Sequence, residues 1–401
     1  MTTPNRPPPL AGITVIDLGQ IYNGPYCGFL LAMAGANVIK VEQPGGEHLR
    51  RRGAVGGAAL PFAMLNSNKQ MVTLNLKTAR GRELLKSMVT KADVLLENFA
   101  PGAMDKLGVG YAVLNAVNPR LVYAQGSGYG LSGPNKDYPA MDLTVQAMAG
   151  VMSITGFPDR PPVKAGPALC DFFGGVHLYA ALMTALVERE RTGRGRMVEV
   201  SMQEAVYPSL ASNLGLWYGT GGSVPPRTGN MHGGMAEAPY NVYPTQDGFI
   251  AIICVGENQW QALLRAMGRE DLRDDPRFIN LAARMKNVAD VDALVGGFTA
   301  GFVKQTLFDH LLKFRVPCAP VRDLDEVVND AHMHARRALE WVDHPLLGRI
   351  VLPNSPLRFE GTDPLPIEPT GALGRDNHAV FAAWLGLPDD EVAALAEAQV
   401  I

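Results

Sequence analysis

From residue 12 to residue 200 the chain alternates short β-rich runs with helical segments. The runs are "GITVIDLG", "ANVIKVE", "MVTLNL", "DVLLEN" and "LVYAQGSG", and stretches such as "ARGRELLKSMVTKA" separate them. Strands that alternate with helices form βαβ units, and such units build a parallel sheet. The predicted class is therefore α/β, with a Rossmann-like parallel sheet. Open sheets of this kind bind ligands outside the carboxyl ends of their strands, which directs attention to the loops 19–25, 42–47, 98–106 and 126–134. The first of these, "GQIYNGP", is predicted to turn at Asn23-Gly24 and to start a helix at Pro25, because proline suits the first helical position.

At 401 residues the chain exceeds one ordinary domain. Beyond residue 219 the Gly/Pro-rich stretch "GTGGSVPPRTGNMHGG" reads as part of a linker over 220–244. Residues 245–329 read as a smaller α+β domain. The closing segment, 330–401, carries strand and helix signals that return it to the large domain formed by 1–219. Apolar residues make up 47% and charged residues 19%, the balance of a globular enzyme. Disorder is expected only in the Pro-rich start, Thr2–Pro9.

The 36 basic and 39 acidic residues leave a net charge of −3, which argues against nucleic acid as a partner. Arg50-Arg51-Arg52 reads either as a solvated face or as a contact for an anion such as phosphate. Cys27, Cys170, Cys254 and Cys318 are scattered through apolar contexts and read as reduced, buried small hydrophobes. The N-terminus lacks a basic stretch followed by an apolar run, and no 18-residue apolar segment is free of charge. A cytoplasmic location without a membrane partner is the expectation.

Motifs for other chemistries are missing. "GQIYNGP" lacks the glycine spacing that brings amides to a pyrophosphate, "GSGYGLSG" has the wrong spacing, and the chain has neither a P-loop nor a G-x-S-x-G elbow. His332 and His334 have no carboxylate at metal-site spacing, and His177 and His232 stand alone. "GPALCDFFGGVHL", residues 166–178, is different, because it sets Asp171 at the start of a long helical pattern. The bland reading makes Asp171 an N-cap. The functional reading makes it a carboxylate kept ionised by the helix end and able to attack an activated acyl carbon. Gly174 and Gly175 would let a ligand or another backbone come close.

Several stretches in order carry a resemblance. "PLAGITVIDLGQIYNGPYCGFLLAMAGANVIKVEQPGG", "NSNKQMVTLNLKT", "ADVLLENFAPGAMDKLG", "ALCDFFGGVHL", "TGRGRMVEVSMQEAV" and "PYNVYPTQDGFIAI" together resemble the family III CoA-transferases, the group that contains formyl-CoA transferase and carnitine CoA-transferase. The resemblance spans almost the whole chain. It implies that Asp171 is the nucleophile, passing through an aspartyl-acyl anhydride and an aspartyl-CoA thioester, with no tightly bound cofactor and coenzyme A entering as part of the acyl-CoA substrate. Implied CoA contacts are Gln20, Ile21, Tyr22 and Asn23, then Gln43, the run Leu74 to Lys77, then Asn98, Phe99 and Ala100, and finally Lys106. Gln43 and Lys106 stand where formyl-CoA transferase has arginines. The partners implied are an acyl-CoA, a carboxylic acid and a second copy of the chain in an interlocked homodimer. Oxyanion donors are expected among backbone amides at the helix end.

The related α-methylacyl-CoA racemases use a histidine followed by aspartate where this sequence has Met141-Asp142. Methionine cannot exchange a proton, so transfer is expected rather than racemisation. Glu257 matches a racemase glutamate and also reads as a helix N-terminal residue. A CoA-binding protein without turnover is the remaining alternative.

Overall fold

Six strands form one parallel sheet: Thr14–Asp17 (β1), Asn37–Glu42 (β2), Gln70–Thr73 (β3), Val94–Glu97 (β4), Val122–Ser127 (β5) and Met197–Ser201 (β6). The structure is a computed structural model and describes residues 6–51, 59–224 and 227–401. Thr2–Asn5, Arg52 and the linker's Pro225-Pro226 therefore lie outside the described residues. The strand order β3-β2-β1-β4-β5-β6 reverses between β1 and β4, so the carboxyl ends of those two strands flank the crevice where such sheets take ligands. β4 and β5 are buried along their whole length, as strands in a doubly covered sheet must be.

Each face of the sheet has its own core. Ile16, Leu85, Leu95 and Tyr123 pack on one side, and Val15, Cys27, Leu96 and Leu178 on the other. That second face holds two helices, Asn23–Met33 and Leu169–Thr192. The 24-residue Leu169–Thr192 helix is long and apolar enough to cross a membrane by composition. Its Leu178 and Leu182 are fully buried in the core against the sheet, the pattern of an interior helix.

The closing segment returns to this sheet. The Asp376 and Asn377 side chains accept from the amides of Met71 (2.6 Å) and Thr73 (2.9 Å) on the β3 edge. Phe381, Leu395 and Ile401 join the core behind it. An open strand edge is a pairing hazard, and here the chain covers its own.

The chain forms two compact units, one of Met1–Val145, Pro167–Val206 and Val328–Ile401, the other of Gln146–Gly166 and Tyr207–Val327. The second unit has an antiparallel sheet of Tyr240–Thr245 (β7), Gly248–Ile253 (β8) and Cys318–Pro320 (β9). Its core gathers around Trp260, Leu263, Val291 and Leu307.

Three expectations change. Asn23-Gly24 is not a turn, for the helix runs Asn23–Met33 and Pro25 is its third residue. The first four helical amides have no partner within the helix, so proline is tolerated anywhere there, and the reversal falls on Ile21, with φ of 63°. Arg50 is not on a solvated face. It forks onto Glu42 at 2.9–3.1 Å and lies over the Phe62 ring. Among the cysteines, all free, Cys318 is only half-buried. Burial still pushes its thiol up to about 11, and those of Cys170 and Cys254 up to about 12.

Candidate active site

The site begins with charges buried under the loop that leaves β1. Asp17, at the end of the strand, pairs with Lys69 Nζ at 2.7 Å, and neither side chain is exposed. Lys69 also donates to the Pro25 carbonyl and to Asn66 Oδ1, both at 2.9 Å. Burial lowers the ammonium to about 8, against the pull of Asp17. Asp17 in turn accepts from the Gly19 amide at 2.7 Å, and buried Lys40 of β2 reaches the Gly19 carbonyl.

Beyond Gly19, Asn98 at the end of β4 grips Gln20 on both sides. Its Oδ1 accepts from the Gln20 amide (2.7 Å), and its Nδ2 donates to the Gln20 carbonyl (2.9 Å). Glu47 accepts from the Ile21 amide at 3.2 Å. A β-branched residue in the left-handed region is strained and persists only where its surroundings over-determine it. Asn98, Glu47 and the Asp17–Lys69 pair supply that constraint.

Two adjoining cavities open at these strand ends. The outer one, about 430 Å³, is lined by Gln43, Leu74, Asn75, Leu76, Lys77 and Gln399, among others. The inner one, about 680 Å³, is lined by Ile21, Asn23, Asn98, Ala100, Lys106 and Asp171, among others. Gln20 and Phe99 line both. Tyr22 lines neither; its ring stacks on Phe172 with centroids 6.0 Å apart. The Gln43 side chain donates to the Gly46 carbonyl at 3.0 Å, closing its own turn. A smaller cavity of about 270 Å³ shares Pro101, Lys136 and Asp137 with the inner one. It holds Glu97, which burial pushes up to about 7 although the Phe99 amide and Tyr123 hydroxyl donate to it.

Asp171 is not an N-cap. The capping position is Ala168, which makes no side-chain bond, and Asp171 is the third helical residue. A different acid serves the helix end: Asp142 Oδ1 accepts from the amides of Cys170 (2.8 Å) and Asp171 (3.3 Å). The Leu169 amide lies on the Pro167 carbonyl, and the Phe172 amide on the Ala168 carbonyl makes the first ordinary bond of the helix. The amides of Cys170 and Asp171 are therefore given to Asp142 and not to the Asp171 carboxylate. Asp171 is 8% exposed, and burial first, the Asp142 charge second, push its carboxyl up to about 7.

Of the two roles expected of Gly174 and Gly175, the structure shows the close approach of another backbone. A Cβ on Gly174 would collide with the Asn23 amide, and one on Gly175 would lie 2.7 Å from the Asn23 carbonyl oxygen and 3.3 Å from the Tyr26 ring. The glycines let two helices approach. Asn23, only 2% exposed, has neither Nδ2 nor Oδ1 hydrogen-bonded. Leaving a buried polar atom unpaired costs roughly 1–3 kcal/mol.

Met141 lines the inner cavity, and no histidine does so among the described residues. Glu257 opens the Glu257–Ala266 helix of the second unit, where the Arg284 guanidinium, 2.8 Å away, holds its carboxyl below the usual range. His177 Nδ1 lies 2.8 Å from the Phe173 carbonyl. Among the described residues no group of three His, Cys, Asp or Glu is placed to hold a metal. Sequence reasoning missed Asp142 as the capping acid and Lys69 as the support of the β1 loop. The only available signals were a lone acid at 142 and a lysine in the polar run Asn66-Ser67-Asn68-Lys69-Gln70.

Comparison with known proteins decides the family. The sequence pattern of CoA-transferase family III fits residues 10–377. The chain is a family III CoA-transferase. Acetyl-CoA:oxalate CoA-transferase of Acetobacter aceti is 40% identical over 92% of this chain and 94% of that protein. Succinyl-CoA–D-citramalate CoA-transferase of Chloroflexus aurantiacus is 36% identical over the full length of both. Among solved structures, a CaiB/BaiF family protein from Brucella suis superimposes with a TM-score of 0.83 at 33% identity, covering 95% of this chain and 100% of that one. This CoA-transferase acts between an acyl-CoA and a carboxylate.

Proposed function

We propose that this CoA-transferase passes CoA through covalent intermediates on Asp171. The observation that carries the reading is the placement of that carboxyl. Of the two acids lining the inner cavity, Asp137 is exposed and Asp171 is buried. A buried carboxyl near pKa 7 is more basic than an ordinary aspartate, and nucleophilicity rises with basicity. The outer cavity suits the nucleotide end of CoA and the inner one the thioester, with Gln20 and Phe99 at the passage.

In the first step an Asp171 oxygen attacks the thioester carbon, the carbonyl pair moves to oxygen, and collapse expels CoA thiolate, leaving an aspartyl-acyl anhydride. The thiolate attacks the aspartyl carbonyl of that anhydride, releasing the first acid and leaving an aspartyl-CoA thioester. An acceptor carboxylate attacks this thioester and expels thiolate, and the thiolate takes the new acyl group while Asp171 is released. Each step exchanges one activated carboxyl for another. Lys106 and Lys136 line the inner cavity and favour an anionic acceptor. The named relatives make oxalate the first acceptor to try, with acetyl-CoA as donor. Quenching during turnover is expected to leave a CoA adduct on the 166–178 peptide by mass spectrometry. Full turnover with the adduct on another peptide would overturn the assignment.

The Leu169–Thr192 helix exposes Val176 and Val187. With the family resemblance, this supports the reading that the enzyme works as a dimer of two identical chains. Sedimentation at low concentration is expected to return a dimer, and a folded, active monomer would contradict it.

A further inference from the structure

We infer that the side-chain amide of Asn23 is the oxyanion donor for the acyl-transfer steps at Asp171. The inference rests on Asp171 being the nucleophile and adds a second catalytic residue to it. A tetrahedral intermediate needs a hydrogen-bond donor already aimed at the developing charge. At the start of the Leu169–Thr192 helix the amides of Cys170 and Asp171 are already taken by Asp142, and that of Leu169 by the Pro167 carbonyl.

Asn23 is placed to provide the donor. Asn23 lines the same cavity as Asp171. It is wedged between two glycines: a Cβ on Gly174 would collide with Nδ2, and a Cβ on Gly126 with Oδ1. Residues three apart share a helix face, so Gly174 lies one turn along from Asp171. The Cβ position of a helical residue points toward the helix N-terminus, so the space that Nδ2 occupies is on the Asp171 side of Gly174. Both amide atoms are buried and unpaired, which is a penalty in the free protein. A thioester oxygen arriving beside Asp171 would remove part of it.

During the first step the Asp171 carboxylate forms a C–O bond to the thioester carbon, and the carbonyl π pair becomes an oxyanion. Asn23 Nδ2–H donates to that oxygen. When the carbonyl re-forms and the C–S bond breaks, the pair leaves with CoA thiolate and the donor is released. The amide transfers no proton and is unchanged at the end of the step.

The proposal has an unusual signature, since activity and stability should respond with opposite signs. Asn23→Leu keeps a branched side chain of similar shape but removes both unpaired polar atoms. Substitution of an unpaired buried group by an apolar one is neutral or stabilising. The expected result is a fall in kcat of about 100-fold or more and a thermal midpoint equal to or above that of the parent. Native kcat in folded Asn23→Leu would overturn the proposal.

Asn23→Asp, of the same size and with no proton to donate once ionised, covers the case in which leucine does not fit. It should lose kcat and also move the acid limb of the kcat–pH profile upward, because it places a second carboxylate beside Asp171. Native kcat with an unmoved limb would again overturn it. Asp171→Ala run in parallel separates the two claims. If it is inactive while Asn23→Leu keeps native kcat, only the Asn23 role falls; if it retains exchange, the parent mechanism falls and the Asn23 role with it.

Discussion

Alanine in place of Asp171 is expected to lower kcat by about 10⁴-fold or more, since removal of a covalent nucleophile leaves only binding and electrostatic catalysis. The same carboxyl should weaken the fold at the pH where it works. Its folded pKa, about 7, lies above the ordinary value of 3.8, so the folded state holds the proton more tightly than the unfolded chain does. Stability from this group is present below pH 3.8, is lost as pH rises toward 7, and is gone above it. Asp171→Asn, a neutral isostere, removes that penalty. Thermal melts should show it more stable than the parent at pH 8 and no more stable at pH 3.5, while the parent's kcat rises through about pH 7. An Asn variant with the same stability difference at both pH values would show that burial does not act on this carboxyl.

Lys69→Met is expected to cost about 3–5 kcal/mol, the usual result of removing one partner from a buried ion pair. The loss arises because Asp17, fully buried, would keep its charge without its ammonium. Lys40, bonded to the Gly19 carbonyl, is the nearby cation that offsets part of the loss. Adding Asp17→Asn to Lys69→Met should recover much of the stability, since two neutral side chains leave no orphaned charge. Thermal midpoints of both variants check the energies. Amide exchange over residues 17–26 checks the local effect, because Lys69 also holds the Pro25 carbonyl. Faster exchange there with weaker CoA binding is expected. A Lys69→Met protein as stable as the parent would mean that the pair is not a support of the loop.

The alternation of strand and helix was legible because it is local. Apolar runs of four to six residues between helical patterns dictate a parallel sheet, and the loops at the strand ends follow from that. Asp171 was legible only through the matching stretches around it, because one aspartate ahead of an apolar helix equally suggests a cap. The helix start at Asn23 was misread because Asn-Gly-Pro carries turn and first-position signals together, and sequence does not show which neighbours will constrain the backbone. β6 lies beyond the long Leu169–Thr192 helix and joins β5 only through pairing across that distance.

By itself, then, the sequence determined the α/β class, the strand-end loops as the place to look, the family and the residue to test first. Tertiary structure alone decided the electrostatics and the spacing of the site. Asp142, 29 positions before Asp171, takes the helix amides and adds its charge. Asn23 fills the space that Gly174 and Gly126 leave. The physical reason is that burial, charge and close approach depend on groups far apart in the chain, and no local pattern records which of them will meet.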